Sequence, residues 1–312
     1  MRTLICGSLA YDSIMVFQDY FRHHILPAKI HMLNVSFLVP EMRREFGGCA
    51  GNIAYNLKLL GGDPLIAATV GDDFGAYAER LDARAIPRDH IRHVAGTFTA
   101  QAFITTDLAD NQITAFHPGA MNHAHENDVR QVPDVKLGIV APDGHEGMLR
   151  HVRGFHEAGV PSIFDPGQGL PLFSGEELLE CVEKSRYVIV NDYEAELLQS
   201  RTGEKLEALA RRVEAVIVTR GAEGSHIHRT GYSRIDIPPA RAEAIVDPTG
   251  CGDAYRSGIL YGIVHGLDWE TSGRLGSLMG AIKIAQRGGQ NHHATRDEIA
   301  HAFHAQFGYH FN

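Results

Sequence analysis

The chain of 312 residues carries 29 Lys plus Arg against 38 Asp plus Glu, a formal net charge of −9. That balance works against sequence-independent nucleic-acid binding, which needs a basic surface to displace counterions, and no apolar run reaches the roughly 18–20 residues of a membrane span. Hydrophobic content of 44% with 21% charged residues excludes wholesale disorder, and 33 glycines signal many tight turns or close backbone approaches.

The opening MRTLICGSLAYDSIMVF has no multi-basic start and sets Asp12 inside its apolar stretch, so no secretory signal is expected. Cys6, Cys49, Cys181 and Cys251 form no Cys-x-x-Cys pair and read as reduced thiols of a cytoplasmic protein. A first strand is predicted over residues 3–7, with Asp12 in the turn region beyond it. Residues 14–46 lack a helical period and hold β-like pieces at 30–34 and 36–39. Gly47-Gly48-Cys49-Ala50-Gly51-Asn52 then opens a helix whose apolar face is Ala50, Ile53, Ala54 and Leu57. A strand at 65–70 precedes a strand pair, 100–106 and 112–117, turned by Leu108-Ala109-Asp110-Asn111. Strands follow at 136–141, 161–165, 187–191 and 215–219, with a helical face of Leu206, Leu209, Ala210 and Val213 among them.

Strands alternating with helices imply βαβ units and a mostly parallel sheet covered on both faces. Ligands bind such sheets beyond the carboxyl ends of the strands. Asp165-Pro166, Asn191-Asp192 and Thr219-Arg220-Gly221 lie at three of those ends. The segments at about 14–46 and 97–120 read as a small β-lid inserted into one domain spanning 1–312. The 19 histidines, including His23-His24, His123, His125 and His292-His293, show no metal-ligand motif and read as solvated.

The sharpest feature is Asp247-Pro-Thr-Gly-Cys-Gly-Asp253 ahead of an apolar helical run. It sets Gly250, Cys251 and Gly252 at a helix N-terminus, where unpaired N–H groups and the macrodipole favour an anion such as a transferring phosphoryl group. Asp253 in the same turn is placed to take a proton from an attacking hydroxyl. A plain capping Asp on a glycine loop would look similar but would not need both glycines.

These residues resemble the ribokinase-like (PfkB) carbohydrate kinase superfamily over essentially the whole chain. The matching motifs are the Gly47-Gly48 segment with Asn52, the Asp247–Asp253 loop, Asn191-Asp-Tyr-Glu194 and Thr219-Arg-Gly-Ala-Glu-Gly224. Cys251 stands where Ala is commoner in the family. The resemblance implies a three-layer αβα domain, with a mostly parallel sheet and a small inserted β-lid. It implies Asp253 as base, with Gly250, Cys251 and Gly252 as the anion hole. It further implies Asn191 and Glu194 near Mg²⁺ and its waters, and Asn191, Thr219, Gly221, Gly224 and Thr249 at ATP. Asp12, Gly47, Gly48 and Asn52 would hold acceptor hydroxyls, and Asp247 and Thr249 sit where many members bind K⁺. Asn191 and Glu194 would also serve as helix caps, and Asp12 as an ordinary turn residue.

Within the superfamily the chain is most similar to bacterial and archaeal adenosine and nucleoside kinases. Phe37-Leu-Val-Pro40 and the stretch containing Phe116-His117-Pro118 and Met121 offer apolar surface on the lid. A flat base can stack there, whereas a hexose needs mostly polar partners. The expected reaction is ATP-dependent phosphorylation of a purine nucleoside, adenosine first, at its 5′-hydroxyl, with Phe116 and Met121 against the base. A sugar kinase of the ribokinase, fructokinase or phosphofructokinase type is the alternative. Phe116 and Met121 could otherwise serve the core or a homodimer formed through the lid. A silent sugar-binding regulator is a further alternative, disfavoured by the intact Asp253. A Rossmann dehydrogenase is disfavoured because Gly7-Ser-Leu-Ala-Tyr-Asp12 holds no G-x-G-x-x-G.

Overall fold

The computed structural model describes residues 1–25, 34–109 and 111–311. Its central strands are short apolar runs whose successive side chains fall into two different cores. In β1 (Arg2–Cys6), Ile5 enters one core while Leu4 and Cys6 enter the other. In β10 (Tyr187–Asn191) and β11 (Ala215–Thr219), Ile189 and Ile217 likewise face one core, and Val188, Val190, Val216 and Val218 the other. Burial on both faces explains why these strands read as continuous β-branched runs.

With β4 (Asp63–Val70), β5 (Ile91–His93), β8 (Val135–Val140), β9 (Ser162–Phe164), β12 (Ser225–His228) and β13 (Ile235–Ile237), they form a sheet of order β13-β12-β11-β10-β9-β8-β1-β4-β5. The strands from β11 to β5 run parallel, and β12 and β13 add antiparallel. One face carries α2 (Cys49–Leu59), α3 (Gly75–Ala83), α8 (Cys251–His265), α9 (Trp269–Ile284) and α10 (Arg296–Phe307). The other carries α4 (His145–Glu157), α5 (Gly175–Lys184), α6 (Asp192–Thr202) and α7 (Leu206–Leu209). This is the expected αβα arrangement with a mostly parallel sheet. Among the described residues no helix is long and apolar enough to cross a membrane.

A second sheet of order β3-β2-β6-β7 is built from β2 (Ala10–Val16), β3 (Glu41–Gly47), β6 (Ala100–Thr106) and β7 (Gln112–His117). β6 and β7 fall where the sequence places them. β2 and β3 do not: the sheet begins at Ala10 and not near residue 14, residues 36–39 form no strand, and residues 30–33 lie outside the described residues. β3 reads Glu-Met-Arg-Arg-Glu-Phe-Gly, a charged edge strand with no apolar alternation to betray it. α1 (Phe21–His24) is a single turn between them. The helix expected through Val213 stops as the one-turn α7, although Leu206 and Val213 still pack on the core.

The histidines divide. His292, expected in solvent, is 1% exposed, with Nε2 at 2.7 Å from Asn56 Oδ1 and its ring edge-on to Tyr55. Burial pushes its imidazole down to about 3, and that of buried His151 to about 4, so both stay neutral. The four cysteines are free thiols.

Candidate active site

The glycine loop before α8 is shaped by its own short-range bonds. Thr249 N–H donates to Asp247 Oδ1 at 2.9 Å and Cys251 N–H donates to the Pro248 carbonyl at 3.1 Å. Gly250 then caps α8 with φ of 79°, a left-handed conformation that a residue with a Cβ adopts only under strain. The N–H groups of Gly250, Gly252 and Asp253 find no acceptor among the described residues. Three donors at one helix N-terminus make an anion nest. The contribution of Cys251 to it differs from expectation, because its N–H is engaged by the turn.

Asp253 is the acidic residue of the first turn of α8. Its Oδ2 accepts from Asn52 Nδ2 at 2.8 Å, and Asn52 Oδ1 accepts from Gln290 Nε2 at 3.1 Å. Gln290 Nε2 also meets the Tyr77 hydroxyl at 2.7 Å, and that hydroxyl donates to the Gly47 carbonyl at 2.7 Å. Asn52, Gln290 and Tyr77 are all buried, so this chain fixes the Asn52 amide with its N–H toward the carboxylate. One N–H and one lone pair of the Asn52 amide are left without a partner among the described residues. Burial raises the Asp253 carboxyl to about 6, with Asp165 adding to the rise and Arg256 and Asn52 opposing it. A carboxyl near that value is ionised at neutral pH yet still holds a proton well.

Asp12 points from β2 at the turn before α2. A Cβ on Gly47 would collide with its carboxylate, so glycine there leaves room for Asp12 in this position. Burial first, then Glu45 and Asp247, raise Asp12 to about 6. Gly48, with φ of 84°, caps α2 beside it.

Register decides what shares a face with Asp12. Glu45 of β3, Asp12 of β2, Ala102 of β6 and Phe116 of β7 pair in one transverse row. The next row is Arg43, Ile14, Ile104 and Thr114. Alternation puts both rows on one face, so half-exposed Phe116 stands on the side from which Asp12 projects. Phe37 is different: it packs on Phe17 at 4.8 Å and Phe21 at 5.0 Å, inside an aromatic cluster with His24. That packing withdraws it from the surface expected of it. Met121 lies off these rows, half-buried in the 3₁₀ segment Gly119–Glu126 against the Gly144 turn.

The remaining residues lie along neighbouring strand ends. Asn191 closes β10, and its Oδ1 accepts from Glu194 N–H at 2.7 Å while Glu194 Oε2 accepts from Asn191 N–H at 2.8 Å. This reciprocal capping box starts α6 and leaves Glu194 Oε1 without a donor among the described residues. Thr219 ends β11, and Gly221 and Gly224 shape the 3₁₀ turn after it with positive φ.

A buried ion pair joins the two groups. Arg256 of α8 makes a two-armed contact with Asp165 beyond β9, and both are almost wholly shielded from solvent. The guanidinium also acts on Asp253 and Glu194, and lies 2.6 Å from where a Gly252 Cβ would stand. Sequence reading passed over Arg256, although a lone arginine in the apolar run after the glycine loop signals a buried charge needing a partner. Among the described residues no cluster of three or more His, Cys, Asp or Glu could hold a metal ion by itself.

The profile of the pfkB family carbohydrate kinases matches residues 10–296. A nucleoside kinase of Methanocaldococcus jannaschii is 33% identical over 268 residues, 85% of this chain and 88% of that protein. The structure of Burkholderia thailandensis nucleoside kinase in complex with inosine superposes with a TM-score of 0.90 at 54% identity, covering 99% of each chain. The same enzyme has also been solved in complex with ADP-inosine, at 55% identity and a TM-score of 0.88, covering 99% of this chain and 97% of that one. A match of that extent along the chain places this protein in the pfkB family of carbohydrate kinases.

Proposed function

We propose that this protein transfers the γ-phosphoryl group of ATP to the 5′-hydroxyl of a purine nucleoside, adenosine and inosine being the first candidates. The observation that carries the reading is the likeness, at 54% identity, to a nucleoside kinase in complex with inosine. Asp12 and Phe116 on one sheet face add a hydroxyl acceptor and a stacking ring. A purine nucleoside presents a vicinal diol and a flat base, the two groups that such a face would recognise.

In this reaction Asp253 takes the 5′-hydroxyl proton as the oxygen attacks the γ-phosphorus. The new P–O bond forms as the bond to the bridging β,γ-oxygen breaks, and ADP leaves with that electron pair. Gly250, Gly252 and Asp253 N–H groups face the charge on the peripheral oxygens, and Asn52 holds the base in line. The Asp12-bearing sheet acts as a lid that excludes water from the transfer. Magnesium, when bound with the nucleotide, shields the phosphate charge. Glu194 Oε1 and the Asn191 side chain fit that ion through water, as suits a cation that retains most of its hydration.

Turnover measured on adenosine, inosine, guanosine, cytidine, ribose and fructose tests the acceptor. Ribose or fructose surpassing every nucleoside by about tenfold in kcat/KM would reject this reading while leaving the family intact. Phe116→Ala should lower kcat/KM for the best nucleoside by about ten- to a hundredfold, the worth of one stacked base, and leave ribose nearly unchanged. Equal loss on both substrates would remove Phe116 from the base site. Glu194→Gln preserves the capping box, since Gln also caps at that position. It should raise the Mg²⁺ concentration for half-maximal rate several-fold with an unchanged melting temperature; an unchanged Mg²⁺ profile leaves Glu194 a cap alone.

The opposite face of the smaller sheet exposes Met42 at 72%, Phe103 at 42% and Ile113 at 44%. An apolar patch on that scale suits contact with a second copy. Phe103→Glu should convert a sedimenting dimer to monomer, and a wild type that sediments as monomer at micromolar concentration rejects the dimer.

A further inference from the structure

Lys283, in the last turn of α9, has no solvent exposure. No carboxylate lies within ion-pair distance of it among the described residues. Its Nζ donates instead to two backbone carbonyls, Asp247 at 2.7 Å and Gln286 at 3.1 Å. Around it, the stem of the glycine loop is tied to the end of α9. Val246 and Asp247 N–H both donate to the Ile284 carbonyl, and Gly288 N–H donates to Asp247 Oδ2 at 2.8 Å. Asp247 Oδ1 already accepts from Thr249.

A potassium ion is held by several oxygens, chiefly backbone carbonyls, that replace its water. Here the Asp247 carbonyl faces an ammonium, and both carboxylate oxygens face N–H donors. These residues do not fit the K⁺ site that family resemblance implies at Asp247 and Thr249. A second cation beside a buried ammonium would also meet direct repulsion.

We propose that the Lys283 ammonium stands in place of a monovalent cation, holding the Asp247–Asp253 loop in its phosphate-binding shape and freeing the enzyme from potassium. Lys283 is then a positioning residue, acting on Gly250, Gly252 and Asp253 through the loop stem. The activity arm of its test rests on the kinase reading; the melting arm does not.

Wild type should turn over within about twofold in potassium chloride and in choline chloride of equal strength, and its melting temperature should differ by less than about 1 °C between them. Lys283→Met should lose about a hundredfold or more in kcat in choline, and regain at least about tenfold with potassium or ammonium but not with tetramethylammonium. Its melting temperature should rise by several degrees with potassium, because an ion bound only by the folded state stabilises it. Wild type stimulated or stabilised by potassium overturns the proposal, as does a folded Lys283→Met indifferent to every cation. If Lys283→Met does not fold, the wild-type comparison decides alone. A wild type without turnover on any acceptor rejects the kinase reading, and melting then judges Lys283 separately.

Discussion

Asp253→Asn should lower kcat by about a thousandfold or more while ATP affinity stays within a few-fold, because the amide keeps the shape but cannot take the proton. Asn52 Nδ2, which donates to the carboxylate at 2.8 Å, can still donate to the amide oxygen, so the loss is of basicity and not of packing. Turnover within about tenfold of wild type would reject Asp253 as the base. The pH profile carries the same test. Burial holds Asp253 at about 6, and Asp12 likewise at about 6. In the proposed reaction both act ionised, Asp253 to accept a proton and Asp12 to accept hydroxyls. The rate should therefore be flat above pH 7 and fall as pH drops through 6, approaching a slope of two for kcat/KM. An acid limb near 4 would mean that burial does not raise these carboxyls in the working enzyme.

Arg256→Met should be the most damaging substitution for stability. The pair with Asp165 lies inside the protein, and removing one partner of such a pair costs about 3–5 kcal/mol, because the other charge stays behind unpaired. A second effect follows from the Arg256 charge, which lowers the Asp253 carboxyl. Without it, the acid limb of the variant should move above that of wild type. The double variant Arg256→Met with Asp165→Leu separates the two, since replacing both members of a buried pair by apolar groups is often neutral. Denaturant unfolding should show most of the lost stability restored in the double variant, while turnover stays low. Full recovery of turnover would show that Arg256 serves packing alone.

The αβα layering was legible along the chain because each central strand is buried on both faces, which forces β-branched runs that no turn or surface helix imitates. The loop from Asp247 to Asp253 was legible for a related reason. The turn within it comes from bonds within four residues, Thr249 to Asp247 and Cys251 to Pro248, and from a left-handed Gly250 that only glycine takes easily. Local bonding leaves a local spelling.

The partners of that loop are spelled nowhere. Asn52 meets Asp253 across 201 residues of sequence, and Arg256 meets Asp165 across 91. Which amide reaches which carboxylate depends on how α2 lies against α8, and periodicity reports only that a face is buried, not what it touches. The same limit hid β2 and β3, whose side chains follow no apolar alternation, and with them the row that joins Asp12 to Phe116 through Ala102 of β6. It also hid Lys283, a charge in an apolar helix whose two carbonyl acceptors converge only when the end of α9 folds against the loop stem. Backbone carbonyls are common to every residue, so no choice of side chains could have announced that site. Packing alone selects which of them face the ammonium.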